Sequence, residues 1–335
     1  MEKPELLEWL EAVEAAPLLA RAEARVRAVF GDRIFIRGIV EFSNHCARNC
    51  FYCGLRAGNR DLVRYRMSPD EILESAGRVW TAGVRTLVLQ SGDDLHYSRE
   101  AICRLLKAVK ERFPGMAVTL SLGERDPEDY RAFRDCGADR YLLKFETSNP
   151  ALYRSLHPGQ SLEHRFFLLK HLRRLGYQVG IGGIVGLPGQ SLKDLAEDLR
   201  TVGDFQPEMV SFGPYLTHHQ TPLAEAPNGS EALTLKMMAL ARLLAGRANM
   251  PVTTALATLD PSDGLTRGLR AGANVIMVNF TPEPRRFNYT IYDHKLRVDF
   301  EQVRIAAARA GRTVSMERGD APIKEGKEKE RQGED

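Results

Sequence analysis

Three cysteines, Cys46, Cys50 and Cys53, fall within eight residues of this 335-residue sequence, and two more, Cys103 and Cys136, stand alone. An odd count concentrated in one short run is not a disulfide framework. The N-terminus, MEKPELLEWLEAVEAA, is acidic and lacks the basic start and apolar stretch of an export signal. A reducing, cytoplasmic location is therefore expected, where clustered thiols bind metal rather than one another. Three thiolates on one loop can hold three irons of a four-iron cluster and leave the fourth iron open to a small molecule. Zinc would want a fourth ligand, and His45, adjacent to Cys46, cannot easily reach the same metal. Inert buried thiols are the remaining reading. Cys-x3-Cys-x-aromatic-Cys is far more restrictive than a lone Cys-x2-Cys, and it favours the open cluster. Cys103 and Cys136 sit in helical patterns and read as core.

Such a loop needs a frame. Apolar, β-branched runs begin at Ile34 (IFIRGIVEF), Thr86 (TLVLQ), Ala117 (AVTLSL), Arg140 (RYLLKFE), Gln178 (QVGIGGIVGL), Met209 (MVSFGPYL), Val252 (VTTALATL) and Asn274 (NVIMVNF). Between them lie stretches of helical periodicity, several opened by capping residues: Ser68, Ser98, Asp126, Ser161 and Ser191. Strands that alternate with helices are joined by crossovers and build a parallel sheet. Eight such units predict an α/β fold, a (βα)8 barrel of the TIM type spanning 34–311. A helical extension over 1–33 precedes it, and a densely charged tail over 312–335, expected to be disordered, comes after it. No G-x-G-x-x-G follows the first strand, which argues against an open dinucleotide-binding sheet. The cysteine run then falls just after the first strand, where a barrel carries its active-site loops.

Composition narrows the partners. Hydrophobic residues are 43% and charged residues 27%, a balance that excludes a disordered chain. With 47 basic and 44 acidic residues the formal charge is +3, so no global field points to nucleic acid. No apolar run approaches the roughly 18 residues of a membrane span.

Cys-x3-Cys-x-Tyr-Cys at the top of a first barrel strand resembles the signature of the radical S-adenosylmethionine (SAM) superfamily. The resemblance implies a [4Fe–4S] cluster on Cys46, Cys50 and Cys53, with SAM bound at the open iron through its methionine amino and carboxylate groups. It also implies an external electron donor and reductive cleavage of SAM to a 5′-deoxyadenosyl radical. Further segments are similar to one branch, the HydE-type maturases of FeFe hydrogenase, over residues 40–295. They include Phe42-Ser43-Asn44, Gly54-Leu55-Arg56, the run Tyr65 to Ile72, Leu89 to Asp94, Thr119 to Glu124, Ala138 to Lys144, Gly186 to Gln190 and Gly272 to Met277. That resemblance implies a step in assembling the dinuclear iron centre. The substrate would be small and organometallic, an iron-bound, cysteine-derived precursor carrying carbon monoxide and cyanide, and other hydrogenase maturases would be partners.

The same resemblance implies a set of site residues. Gln90, Ser91, Gly92 and Asp93 at the end of the second strand, together with Tyr52, fall in the cofactor-binding set, Gly92 allowing close backbone approach. Glu146 matches a SAM contact, and Arg165 matches the arginine that forks onto the SAM carboxylate. Arg140 and Lys144, an even number of residues apart on one strand, share a face with Glu146 and are expected in an anion-binding substrate cavity. Thr253, Thr254, Met277, Tyr289 and Tyr292 resemble further cavity residues, with packing an alternative for the tyrosines.

The sequence departs from that branch where the substrate would lie. Lys144 and Phe145 stand where arginine and histidine are common, Leu256 falls in an altered Thr254–Thr258 stretch, and Val278 and Phe280 replace proline and tryptophan. No cysteine follows Cys136, so a second cysteine-bound cluster cannot form, which disfavours biotin-synthase-like sulfur insertion. A methylornithine-synthase-like mutase acting on an amino acid remains as an alternative, as does a non-catalytic iron–sulfur carrier. His218 and His219 are not read as metal ligands, because neighbours on a strand face opposite ways. Gly180-Ile181-Gly182-Gly183 lacks the Lys-Ser/Thr of a phosphate loop and is read as admitting a ligand close to the fifth strand.

Overall fold

Eight parallel strands line the interior of the computed structural model, which describes residues 1–322. They are β1 (Arg33–Ser43), β2 (Thr86–Ser91), β3 (Ala117–Ser121), β4 (Arg140–Leu142), β5 (Gln178–Val185), β6 (Met209–Pro214), β7 (Val275–Asn279) and β8 (Thr313–Ser315). The spatial order is β6-β5-β4-β3-β2-β1-β7, with β8 added to the start of β1 through Arg33 opposite Thr313. β1 is long because it pairs with three strands, β7 over Phe35–Ile39, β2 from Gly38 onward and β8 at its first residues.

Helices cover the outside, and their starts are set by local chemistry. Ser68 and Ser191 form capping boxes with Glu71 and Asp194 at helices Pro69–Thr81 and Leu192–Phe205. Ser98 and Ser161 accept single backbone hydrogen bonds at Arg99–Arg112 and Leu162–Arg174. Each such cap contributes about 1 kcal/mol. Asp126 precedes helix Pro127–Asp135 but makes no side-chain cap. The two N-terminal helices, Lys3–Glu11 and Ala16–Phe30, bury Leu6, Leu18, Ala22 and Val26 against Leu192–Phe205 and Glu231–Leu244. Lys236 caps the first of them, its buried ammonium donating to the carbonyls of Leu10 and Ala12.

The expected strand from Val252 is absent. Thr253 caps a helix, Thr254–Leu259, by accepting from Leu256 N–H at 3.2 Å. The β-branched residues that suggested a strand occupy the cap and first turn, and the Ala-Leu pattern behind them is helix-forming. The circuit between β6 and β7 is made instead by single bridges, Met209 to Asn249 and Pro251 to Val275. Met209 and Val275 are the first residues of their strands, so the barrel closes at its N-terminal end and is unpaired there toward its mouth.

The start of the charged tail is also corrected. Residues 313–315 form β8, and Arg318 and Asp320 reach beneath the barrel. Residues 323–335 of the expected disordered tail lie outside the described residues. This segment relocates Arg140 too. As the first residue of β4, Arg140 points to the barrel floor, fully buried, and donates to Asp320, Gln178 Oε1, Thr86 Oγ1 and the Arg318 carbonyl. The even-spacing argument failed because β4 ends at Leu142, two residues before Lys144.

Burial alone would raise the Asp320 carboxyl, yet Arg140, Arg318 and Gln178 hold it well below the usual range. Its stabilising contribution is therefore fully present above pH ~4 and is lost progressively as pH falls below the ordinary carboxylate range toward the depressed value of the folded state. Asp320→Ala leaves a buried guanidinium with only neutral partners and is expected to cost about 2 kcal/mol in urea unfolding at pH 7, with the difference shrinking at pH 3.

Candidate functional site

At the C-terminal ends of the strands lies a cavity of about 370 Å³. Every site residue expected above except Arg140 lines it.

The cysteine loop is pinned from several sides. Ala47 N–H donates to the Asp93 carbonyl, Phe51 N–H to Leu156 and Gly54 N–H to Ile291. Arg64 staples the loop from behind, its guanidinium donating to the carbonyls of Asn44, Leu55, Arg56 and Asn59. A Cβ on Gly92 would lie 2.3 Å from the His45 carbonyl and 2.6 Å from Cys46 Cβ. The close approach that Gly92 permits is thus to the cysteine loop itself. Burial raises all three thiols, Cys50 to about 11, and Cys46 and Cys50 further raise Cys53. Three mutually repelling sulfurs in a buried pocket favour thiolates only when a cation sits among them. Two N–H groups already address them: Gln160 Nε2 lies 3.3 Å from Cys50 Sγ and Arg48 N 3.4 Å from Cys46 Sγ.

Four charged side chains run from this loop across the mouth. Arg48 Nε donates to Asp93 at 2.6 Å and its Nη2 to Glu124 at 3.1 Å, while Arg165 Nε donates to the other oxygen of Glu124 at 2.6 Å. Asp93 rests on Gly123, where a Cβ would fall 1.4 Å from its carboxylate and where φ is +70°. Arg165 also donates to the Lys144 carbonyl and to Gln160 Oε1, leaving one N–H on each terminal nitrogen. Asp93 is therefore committed to Arg48, whereas Arg165 keeps donors to offer.

Glu146 adopts φ +63°, a strained conformation for a residue with a side chain. Its backbone is clamped to β5 by bonds from Glu146 N–H to the Gly182 carbonyl and from Ile184 N–H to its own carbonyl. The following turn is held by Asp198, whose Oδ1 accepts from both Ser148 N–H and Ser148 hydroxyl at 2.6 Å. Lys144 Nζ lies 3.0 Å from Glu146 Oε2, but that buried oxygen accepts no hydrogen bond among the described residues. An acceptor held open in strained backbone is suited to a ligand donor. Beside it, His157 Nδ1 bonds the Tyr153 carbonyl, which assigns the proton to Nδ1 and makes Nε2 the acceptor for Tyr52 hydroxyl at 2.9 Å. Burial lowers this histidine to about 4, so it stays neutral.

On the opposite wall, Gln90 Nε2 donates to Tyr289 hydroxyl at 3.2 Å, and Tyr292 stands beside Thr258. Thr254 and Met277 line the same chamber. Sequence reasoning missed Arg48, Glu124, Gln160 and His157, and also Glu41 and Lys295, which form a close ion pair in the cavity. Only Arg48 carried a signal, its place inside the cysteine run.

Three further expectations change. The glycines of β5 serve strand packing, because a Cβ would meet Leu142 and Met209 at Gly180, the Ser211 carbonyl at Gly182 and the Glu146 carbonyl at Gly183. His218 and His219 are not on a strand. Their rings stack at 4.8 Å and both approach Asp293. His218 Nδ1 accepts from Gln220 N–H, so Nε2 carries the proton toward Thr290 and has no lone pair for a metal. Cys103 and Cys136 are half-buried and pack against the edge of the core, Cys103 Sγ donating to the Ala132 carbonyl at 3.4 Å.

Comparison with known proteins agrees with this geometry. The profile of the Radical SAM superfamily matches residues 40–202. The chain is 48% identical over 272 residues to the [FeFe] hydrogenase maturase subunit HydE of Thermotoga maritima, spanning 81% of this chain and 77% of that one. It is 29% identical to a 3-methylornithine synthase of Methanosarcina acetivorans over 86% of this chain and 81% of the relative. A solved methylornithine synthase (PylB) superposes with a TM-score of 0.83 at 26% identity over 94% of each chain.

The clamp on Glu146 has a pH signature. Burial, reinforced by Asp194 and Glu197, raises the Asp198 carboxyl to about 7 against the opposing Ser148 bonds. The folded state thus holds a proton that the unfolded chain releases near pH 4, and the stability Asp198 contributes falls as pH rises from about 4 to about 7. The difference in unfolding free energy between the protein and its Asp198→Asn variant should decline across that window and be flat above it.

Proposed function

Because the chain belongs to the Radical SAM superfamily, we propose that Cys46, Cys50 and Cys53 hold a [4Fe–4S] cluster and that the cavity takes SAM and a small substrate, in a step of assembling the dinuclear iron centre of FeFe hydrogenase. One observation carries the reading. The three thiols of Cys-x3-Cys-x-Tyr-Cys converge on a chamber that also holds the carboxylate of Glu146, paired with Lys144, in a chain 48% identical over 272 residues to a HydE maturase. When bound, the cluster and SAM supply the electron transfer and the adenosyl radical; the protein binds, orients and excludes water. Three thiolates satisfy three irons and leave one without a protein ligand. Gln160 and Arg48 donate N–H bonds to two of the sulfurs and so temper their charge. Glu146 Oε2 accepts from an ammonium or hydroxyl, and the free N–H groups of Arg165 face a carboxylate. Tyr52, fixed by His157, forms an apolar wall. Gln90, Lys144, Thr253, Thr254, Met277, Tyr289 and Tyr292 remain for the substrate.

A second reading, a mutase that rearranges an amino acid, is favoured by the superposition on methylornithine synthase and by the departures from the HydE-type pattern at Phe145, Leu256, Val278 and Phe280.

Reconstituted and reduced protein should release 5′-deoxyadenosine from SAM, and Cys50→Ala should release none. Glu146→Gln should keep the cluster absorbance and raise the KM for SAM roughly tenfold, the loss of about 1.4 kcal/mol of binding. In a hydrogenase maturation assay, omission of the protein should prevent activation. Equal activation without it, with 3-methylornithine formed from an amino acid, would establish the mutase instead.

A further inference from the structure

The chamber wall formed by β1 and the segment after β7 carries an ion pair that stability does not account for. Glu41 is 1% exposed. One of its carboxylate oxygens receives the Lys295 ammonium and the other receives Asn279 Nδ2 at 2.9 Å, while its own N–H donates to Thr281 Oγ1. Each carboxylate oxygen thus has a partner. The ammonium has donors to spare. Lys295 has three N–H groups, of which Glu41 takes one. Its Nζ lies 4.8 Å from the centre of the Tyr289 ring, and its side chain is 15% exposed. Tyr289 is buried, its hydroxyl accepts from Gln90, and its own proton goes to no acceptor among the described residues. A buried ion pair is a weak stabiliser compared with apolar side chains of the same volume. Two ammonium N–H groups and a phenol proton, none given to a protein oxygen among the described residues, instead place three donors for an anion on one wall of the cavity.

The other cations of the chamber are engaged elsewhere. Arg48 pairs with Asp93 and Glu124, and Arg165 pairs with Glu124. Lys144, the other cation left for the substrate, is already paired with Glu146 at 3.0 Å.

We propose that Lys295 and Tyr289 form the subsite that takes the carboxylate of the substrate, a small amino-acid-derived molecule, with Glu41 and Asn279 as positioning residues that aim the ammonium. The proposal deepens the reading of this cavity as the substrate chamber and rests on it. Glu41 also balances the charge of Lys295, so the anion enters beside an already neutral pair. A substrate ammonium, by contrast, would have to share Glu41 with Lys295, whose charge already offsets it.

Three probes with a capped sulfur, which keeps them off iron, separate the contributions: S-methyl-L-cysteine, 3-(methylthio)propionate lacking the ammonium, and 2-(methylthio)ethylamine lacking the carboxylate. Calorimetric titration into the cluster-loaded protein with SAM present should show binding of the first two and not of the amine. Lys295→Met should weaken both at least tenfold, and Lys295→Arg should restore binding to within a few fold. Both variants should keep cluster absorbance and SAM affinity, which reports an intact fold. Carboxylate probes that bind the Lys295→Met variant as they bind the parent, an amine that binds as tightly as the propionate, or no binding of any probe to the parent would each overturn the proposal. Failure of the maturation assay with carboxylate binding still dependent on Lys295 would instead overturn the proposed reaction and leave the subsite standing.

Discussion

The backbone of the cysteine loop lies against the end of β2 at a distance only glycine permits. Any side chain at Gly92 would strike the His45 carbonyl and Cys46, so this contact sets where the sulfurs stand relative to the barrel. The charged side chains of the mouth depend on it. Asp93, the next residue, is brought onto Gly123 and against Arg48, and Arg48 in turn reaches Glu124. Glu124 orients Arg165, whose second contact is the carbonyl of Lys144, two residues from Glu146. A single close approach is thereby transmitted as a continuous set of hydrogen bonds from β2 to β4, across the full width of the mouth.

The mouth collects features that oppose stability. Three thiols share one buried pocket, where Cys46 and Cys50 raise Cys53, Glu146 occupies left-handed backbone with Lys144 as the partner of its Oε2, and the half-buried Lys295 keeps spare donors. Such features persist when surrounding structure over-determines them. Here the support comes from the strapping by Arg64, the clamp of Asp198 on Ser148 and the β5 bonds that flank Glu146. The floor is built differently. Arg140 gives four of its five N–H groups to a carboxylate, a hydroxyl, an amide and a carbonyl, a cation held for architecture. The two ends of one strand segment thus carry cations in different settings, Arg140 bonded into the floor and Lys144 paired with Glu146 at the mouth.

Incomplete closure of the barrel joins these ends. β6 and β7 are linked only through residues 249–251, which bridge to the first residue of each strand, and the helix after Thr253 occupies the gap nearer the mouth. That helix brings Thr253 and Thr254 to the chamber, while the long connection after β7 carries Tyr289, Tyr292 and Lys295 over it. A fully paired seventh strand would have left less room for either.

Much was legible in the residues alone because it depends on local chemistry. The cysteine spacing, the period of the apolar runs, and the Ser68 and Ser191 capping boxes are set by neighbours within a few positions, and they determined the alternation of strand and helix and the place of three sulfurs on one loop after β1. Where competing local preferences were close, as in the β-branched start of an Ala-Leu helix at Thr253, the pattern misled. Other features belong to tertiary structure because they require distant segments to meet. Arg140 and Asp320 are 180 positions apart, and Glu41 and Lys295 are 254 apart. No spacing rule joins such pairs, and the short span of β4 decided which cation faced the floor and which the chamber. The sequence determined that three thiols share one loop; only the fold decided which charges around them were left with bonds to give.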